Sequence, residues 1–159
     1  MNSPYETPSS NLTDSESGGA VLNGRLYKIS GIGLATFLGS FAAGGFLARR
    51  NFISLGRPVE GNKYFIWSII GTIVFLGLTL LIPEDLNVPN TAFAIVQVII
   101  MVQLGNKWFK EDMDNMPLEG GQLFSNWRAA GIGLLFTFLL LAIIVCTIFL
   151  LSYLDVISL

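Results

Sequence analysis

The sequence predicts an all-α fold, a polytopic membrane bundle of four transmembrane helices, and three observations carry that prediction. Of the 159 residues 52% are hydrophobic and 13% are charged, against the roughly 25% charged residues of a soluble domain. Four uncharged intervals follow one another, from Ile29 to Ala48, Tyr64 to Ile82, Leu86 to Asn106 and Ala129 to Leu154, with lengths of 20, 19, 21 and 26 residues. A helix needs roughly 20 residues to cross the hydrocarbon layer. No amphipathic helices stand beside these runs to cover them as a soluble core would require.

Residues 1–24 precede the bundle of residues 25–159 and are rich in Ser, Thr, Asn, Pro and Gly, with Glu6, Asp14 and Glu16 as their only charges. Such a composition cannot bury enough apolar surface to offset chain entropy, so a disordered polar tail is expected. It lacks the basic start of a secretory signal and is not expected to act as one. Asn11-Leu12-Thr13 has the spacing of a glycosylation acceptor, a match too short to carry weight.

The first interval is the least hydrophobic. Gly31, Ala35, Gly39 and Ala43 recur every fourth residue, as do Ser40, Gly44 and Ala48. Small residues at that spacing let helix backbones approach closely in lipid, which makes this a helix-packing element, within the monomer or between copies. Gly39-Ser40 is a candidate kink at its middle. The second and fourth intervals are apolar on every face. The third opens on Asn87-Val88-Pro89-Asn90, where a proline loses no hydrogen bond and Asn87 can cap, and the short link before it predicts an antiparallel pair with the second.

Orientation depends on the first interval. If it spans, Arg49, Arg50, Arg57, Lys63, Lys107, Lys110 and Arg128 lie on one side, and Arg25 and Lys28 on the other. The positive-inside rule then makes loops 49–63 and 107–128 cytoplasmic. If it re-enters, giving three spans plus a re-entrant segment, all nine basic residues share one side, but the broken backbone needs protein around it. Gly-Ile-Gly-Leu recurs at Gly131 to Leu134, which would suit an inverted repeat, though coincidence explains four such residues as well.

Chemistry is sparsely marked. The chain has no histidine and one cysteine, Cys146, which removes the common nucleophile–base pairs and rules out an intrachain disulfide. No catalytic, cofactor-binding or metal residue is assigned, and no enzymatic activity is expected. Asp112-x-Asp114-x-Met116 breaks a calcium loop at its third ligand, and the early G-x-G lacks the third glycine and the strand of a dinucleotide site. Gln97 and Gln103 are the strongest intramembrane polar groups; six residues apart, they lie on different faces and suit interhelical hydrogen bonding. Trp108, Trp127 and Tyr153 fall at span ends as interfacial anchors. Nine basic residues against eleven acidic argue against nucleic acid as a partner, which needs a dense basic patch. The expected partners are the lipid bilayer and either another membrane protein or a second copy of the chain.

The block GLATFLGSFAAGGFLARRNFISLGRP from Gly33, with VPN at Val88 to Asn90 and WRAAGIGLL at Trp127 to Leu135, resembles a group of small bacterial membrane proteins of uncharacterised function. The resemblance covers roughly residues 26 to 150, and is most specific in A-T-F-L-G-S-x-x-A-G-G with Ala48-Arg49 and Asn51 after it. It implies a bacterial inner membrane and supplies no activity or ligand. The function expected is that of an inner-membrane bundle acting by protein contacts, as an assembly partner, sensor accessory or toxin-immunity protein. A small oligomeric channel or transporter is the alternative.

Overall fold

The computed structural model describes residues 25–83, 89–115 and 122–154, without the side chains of Leu80 and Asn90. The expected tail, Asn11, the Asn87 cap, and Glu84, Asp85, Glu119 and Asp155 lie outside the described residues. In chain order the elements are β1 (Leu26–Tyr27), α1 (Ile29–Ser54), α2 (Pro58–Leu80), α3 (Asn90–Asn115), β2 (Leu123–Phe124) and α4 (Asn126–Tyr153). Among the described residues the fold is all-α apart from the two short strands. All four helices are long and apolar enough to cross a membrane.

At the end that carries the basic residues the helices run past the charge-bounded intervals, because charge marks the limit of hydrocarbon, whereas helices end where the backbone can be capped. α1 continues through Arg49 and Arg50 and stops in a Schellman turn: Gly56 has φ 74°, its N–H donates to Ile53 O at 3.1 Å, and Arg57 N–H donates to Phe52 O at 2.8 Å. Glycine adopts that left-handed position without a Cβ penalty. Pro58 then opens α2 at a position where its missing N–H is not needed. Ser125 caps α4, its side chain accepting from Trp127 N–H at 3.3 Å.

α1 carries its length as two half-helices. Gly39 and Ser40 leave helical geometry, Ser40 with φ 68° and ψ −174°, and the chain reverses there. Tyr27 N–H donates to Asn51 Oδ1 at 2.7 Å and Asn51 Nδ2 donates to Tyr27 O at 2.8 Å, although a straight helix would hold residues 24 apart at about 36 Å. A Cβ on Gly44 would fall on Thr36 Oγ1 of the first half. Neighbours along α3 run in opposite senses on the two halves: Gly33 faces Val98 and Val102, with Ile29 opposite Gly105, while Gly44 faces Met101 and Phe52 packs on Phe109. Of the two arrangements open to the sequence, the re-entrant one is the geometry of α1.

This hairpin is the core. Thr36, Ala43, Leu47, Ala48, Asn51 and Phe52 are fully or almost fully buried, and α2, α3 and α4 each pack mainly on α1 rather than on one another. β1 and β2 pair in parallel, Leu26 with Leu123 and Tyr27 with Phe124. They set the starts of α1 and α4 side by side and pointing the same way. The two Gly-Ile-Gly-Leu segments therefore run in parallel, which excludes the inverted repeat. Two-residue strands carry no sequence periodicity, so nothing in the sequence announced them.

Reversal at the apex brings all nine Lys and Arg residues to one end of the bundle. Spin labels at Lys28 and Ile53, in a Cys146→Ser background, test the hairpin. A straight α1 separates these positions by about 38 Å, and the hairpin predicts roughly half that or less in a pulsed dipolar measurement.

Candidate functional site

A helix broken at membrane depth exposes carbonyls at the end of its first half and N–H groups at the start of its second, and hydrocarbon offers them nothing. Two threonines of the surrounding helices fill the gap. Thr137 on α4 donates from Oγ1 to Leu38 O, and also lies 3.1 Å from its own Gly133 O. Thr72 on α2 accepts from Ala42 N–H at 3.0 Å, lies 3.3 Å from Ser40 Oγ and donates to Ser68 O at 3.0 Å. Thr36, Thr79 and Thr147 donate to carbonyls of their own helices. Thr72 and Thr137 do so too, and in addition cap the apex from outside.

The helix-packing residues fall on two sides of this break. A Cβ on Gly31 would lie 3.1 Å from Ala129 Cβ, and one on Gly39 would lie 2.5 Å from Gly133 O. From the other helix, one on Gly133 would meet Ala35 Cα at 3.0 Å. Gly31, Ala35 and Gly39 thus form the seam with α4. Beyond the break, Ser40 faces Thr72, Gly44 faces Thr36 and Met101, and Ala43 is fully buried beside Gly39. The stripe is not one continuous ribbon, because the reversal at Ser40 turns its second half toward different neighbours.

Gln97 is partly buried on α3, with its Oε1 shielded from solvent and without a hydrogen-bond partner among the described residues, while Gln103 is exposed. Trp127 and Tyr153 are 86% and 87% exposed, with little packing against the protein. Trp108 instead packs against Tyr64 at 4.4 Å and Phe52 at 5.6 Å between ring centroids. This aromatic cluster fastens α3 to the hairpin base. Arg57 closes it, stacking over Phe52 at 5.0 Å and pairing with Asp112 at 3.0 Å. Asp112 is therefore an ion-pair partner, and no group of three or more potential metal ligands occurs among the described residues.

Among the described residues, two cavities beside the hairpin stand out. One of about 350 Å³ opens between α2 and α3 beside Phe41 and Gly45, with Lys63 and Trp67 in its wall. The other, of about 580 Å³, lies between the hairpin base and α4, with Arg25, Arg50 and Arg128 around it and Phe46, Ile132 and Phe136 deeper. The sequence reading missed Asn51, Thr72, Thr137 and this arginine cluster. The one available signal was an amide, Asn51, set between Arg50 and Phe52 on an otherwise apolar helix.

The class these features define is a multi-pass helical membrane protein built round a re-entrant hairpin. No family model, curated protein or solved structure matches the chain.

Thr137→Val is expected to cost about 1 kcal/mol, and Thr72→Val a similar amount, in unfolding from detergent micelles, with Thr137→Ser close to the parent. Asn51→Ala leaves two buried backbone groups of Tyr27 unpaired and should cost about 2–4 kcal/mol in the same assay.

Proposed function

We propose that this is a non-enzymatic integral membrane protein of a bacterial inner membrane that acts through contacts with other protein in the bilayer. Such a role covers an assembly partner, a sensor accessory or an immunity protein. The observation that supports it is the state of α4. Its first turns pack on the hairpin through Ala129, Gly133 and Thr137, whereas no residue from Leu134 to Tyr153 is buried. A helix held over half its length leaves a long apolar face, with Phe138, Leu141, Ile148 and Phe149 exposed, free to meet another transmembrane helix by van der Waals packing. The resemblance to small bacterial membrane proteins points to the same compartment.

For orientation, we take the end that carries all nine basic residues as cytoplasmic. The positive-inside rule then puts loops 49–63 and 107–128 in the cytoplasm, with the N-terminal side of α1. α2, α3 and α4 cross, and the C-terminal end of α4 faces away from the cytoplasm.

A channel or transporter that forms between copies is the second reading. A helix broken at mid-membrane and an unpartnered amide oxygen, Gln97 Oε1, are features that transport proteins place around substrates.

Photo-crosslinking in cells separates the two. With benzoylphenylalanine replacing Leu141 or Phe149, the contact reading predicts one discrete adduct with another protein or a second copy, while replacing Leu123, exposed outside the helices, gives none. The transport reading predicts homo-oligomeric adducts together with solute flux in liposomes that Gln97→Leu abolishes. Failure to form any discrete adduct at either α4 position would overturn the contact role.

A further inference from the structure

The cavity between the hairpin base and α4 combines two properties along one axis. At the basic end of the bundle it is ringed by Arg25 before β1, Arg50 on the second half of α1 and Arg128 in the first turn of α4, with the Ser54 hydroxyl beside them. Two of the guanidiniums are held over aromatic rings, Arg50 at 5.4 Å from the Phe46 centroid and Arg128 at 4.5 Å from that of Phe124. Among the described residues the one ion pair joins Arg57 to Asp112, so none of the three has a carboxylate partner there. Their fork of donors fits phosphate oxygens.

Going inward, the wall changes to Ile132, Leu135 and Phe136, which lie about one to two helical turns deeper along α4 than Arg128. A charged rim above an apolar trough matches a molecule that carries its anion at the membrane surface and its chain below. A free anion would use only the rim, and a zwitterionic lipid would bring a cation to three others.

We propose that this cavity is a binding site for one anionic phospholipid, its phosphate held by Arg25, Arg50 and Arg128 and an acyl chain lying along Phe46, Leu135 and Phe136. The lipid adds a further link between the re-entrant hairpin and α4, which also meet through small residues, the Thr137–Leu38 hydrogen bond, the Phe46–Phe136 ring contact and the β1–β2 pair. The inference rests on the membrane reading of the helices and is independent of which protein the chain contacts.

The test uses the full chain in a neutral detergent, titrated with dihexanoyl phosphatidylglycerol, dihexanoyl phosphatidylcholine and glycerol phosphate, with tryptophan fluorescence and native mass spectrometry as readouts. Saturable binding of one phosphatidylglycerol is expected, with much weaker binding of phosphatidylcholine and none of glycerol phosphate at the same concentrations. Arg50→Gln and Arg128→Gln should each weaken it about five-fold, whereas Lys63→Gln and Lys110→Gln, on the same end but outside the cavity, leave it unchanged. Both arginines are exposed, and an unchanged spin-label distance between Lys28 and Ile53 checks that the variants fold. Equal binding of the two lipids, equal binding of glycerol phosphate, or an equal loss in the lysine variants would each overturn the proposal. Failure here leaves the α4 crosslinks unaffected, so the two readings fail separately.

Discussion

Everything in this fold depends on satisfying the peptide groups of a chain that turns round inside hydrocarbon. Water is absent at that depth, and each unpaired N–H or C=O there is costly. The turn survives because Thr72 and Thr137 reach it from opposite helices, one accepting from Ala42 N–H and the other donating to Leu38 O. Ser40 holds a positive φ, a conformation that costs a non-glycine residue on the order of 1–3 kcal/mol and persists where the surroundings hold it. The surroundings here are the same two helices. The apex and its neighbours therefore stabilise one another, and neither half of α1 has a reason to reverse without them.

That constraint explains the distribution of small residues. The reversing segment must be enclosed on several sides, and protein backbone must come close enough for a threonine side chain to reach another helix's carbonyl. Gly31 and Gly39 on one side and Gly133 on the other lack the Cβ atoms that would hold α4 away, and Ala35 presents only a methyl group. Gly45 and Gly61 do the same for α2, where added methyls would collide with Ser68 and Phe52. At the open end, Asn51 plays the part that the threonines play at the apex. Its amide pairs with both backbone groups of Tyr27, closing the hairpin at its base where α1 enters and leaves. The Arg57–Asp112 pair and the aromatic stack of Phe52, Tyr64, Trp108 and Phe109 then tie that base to α2 and α3.

Much of this was legible in the residues and some was not. The four apolar runs, the close-packing role of the glycines and the break at Gly39-Ser40 can all be read from composition and spacing, since each reflects a local rule about hydrocarbon or backbone freedom. The sense of the break cannot. A kink of a few tens of degrees and a full reversal ask for the same Gly-Ser pair, and the basic residues that tally in favour of reversal do so through a rule about insertion rather than packing. Thr72 and Thr137 look like any intramembrane threonine until another backbone is seen beside them. Arg25, Arg50 and Arg128 are dispersed over more than one hundred residues and become one cluster only through the hairpin and the β1–β2 pairing.

By itself the sequence determined that this protein is a helical membrane bundle with a first segment built for close contact, because solvent preference and helix length are properties of contiguous residues. The tertiary structure alone decided that this segment doubles back and brings every cation to one end, and that threonines from α2 and α4 seal its tip. Those outcomes are contacts between residues distant along the chain. Their free energies arise when side chains meet, and a one-dimensional pattern does not record which of them will.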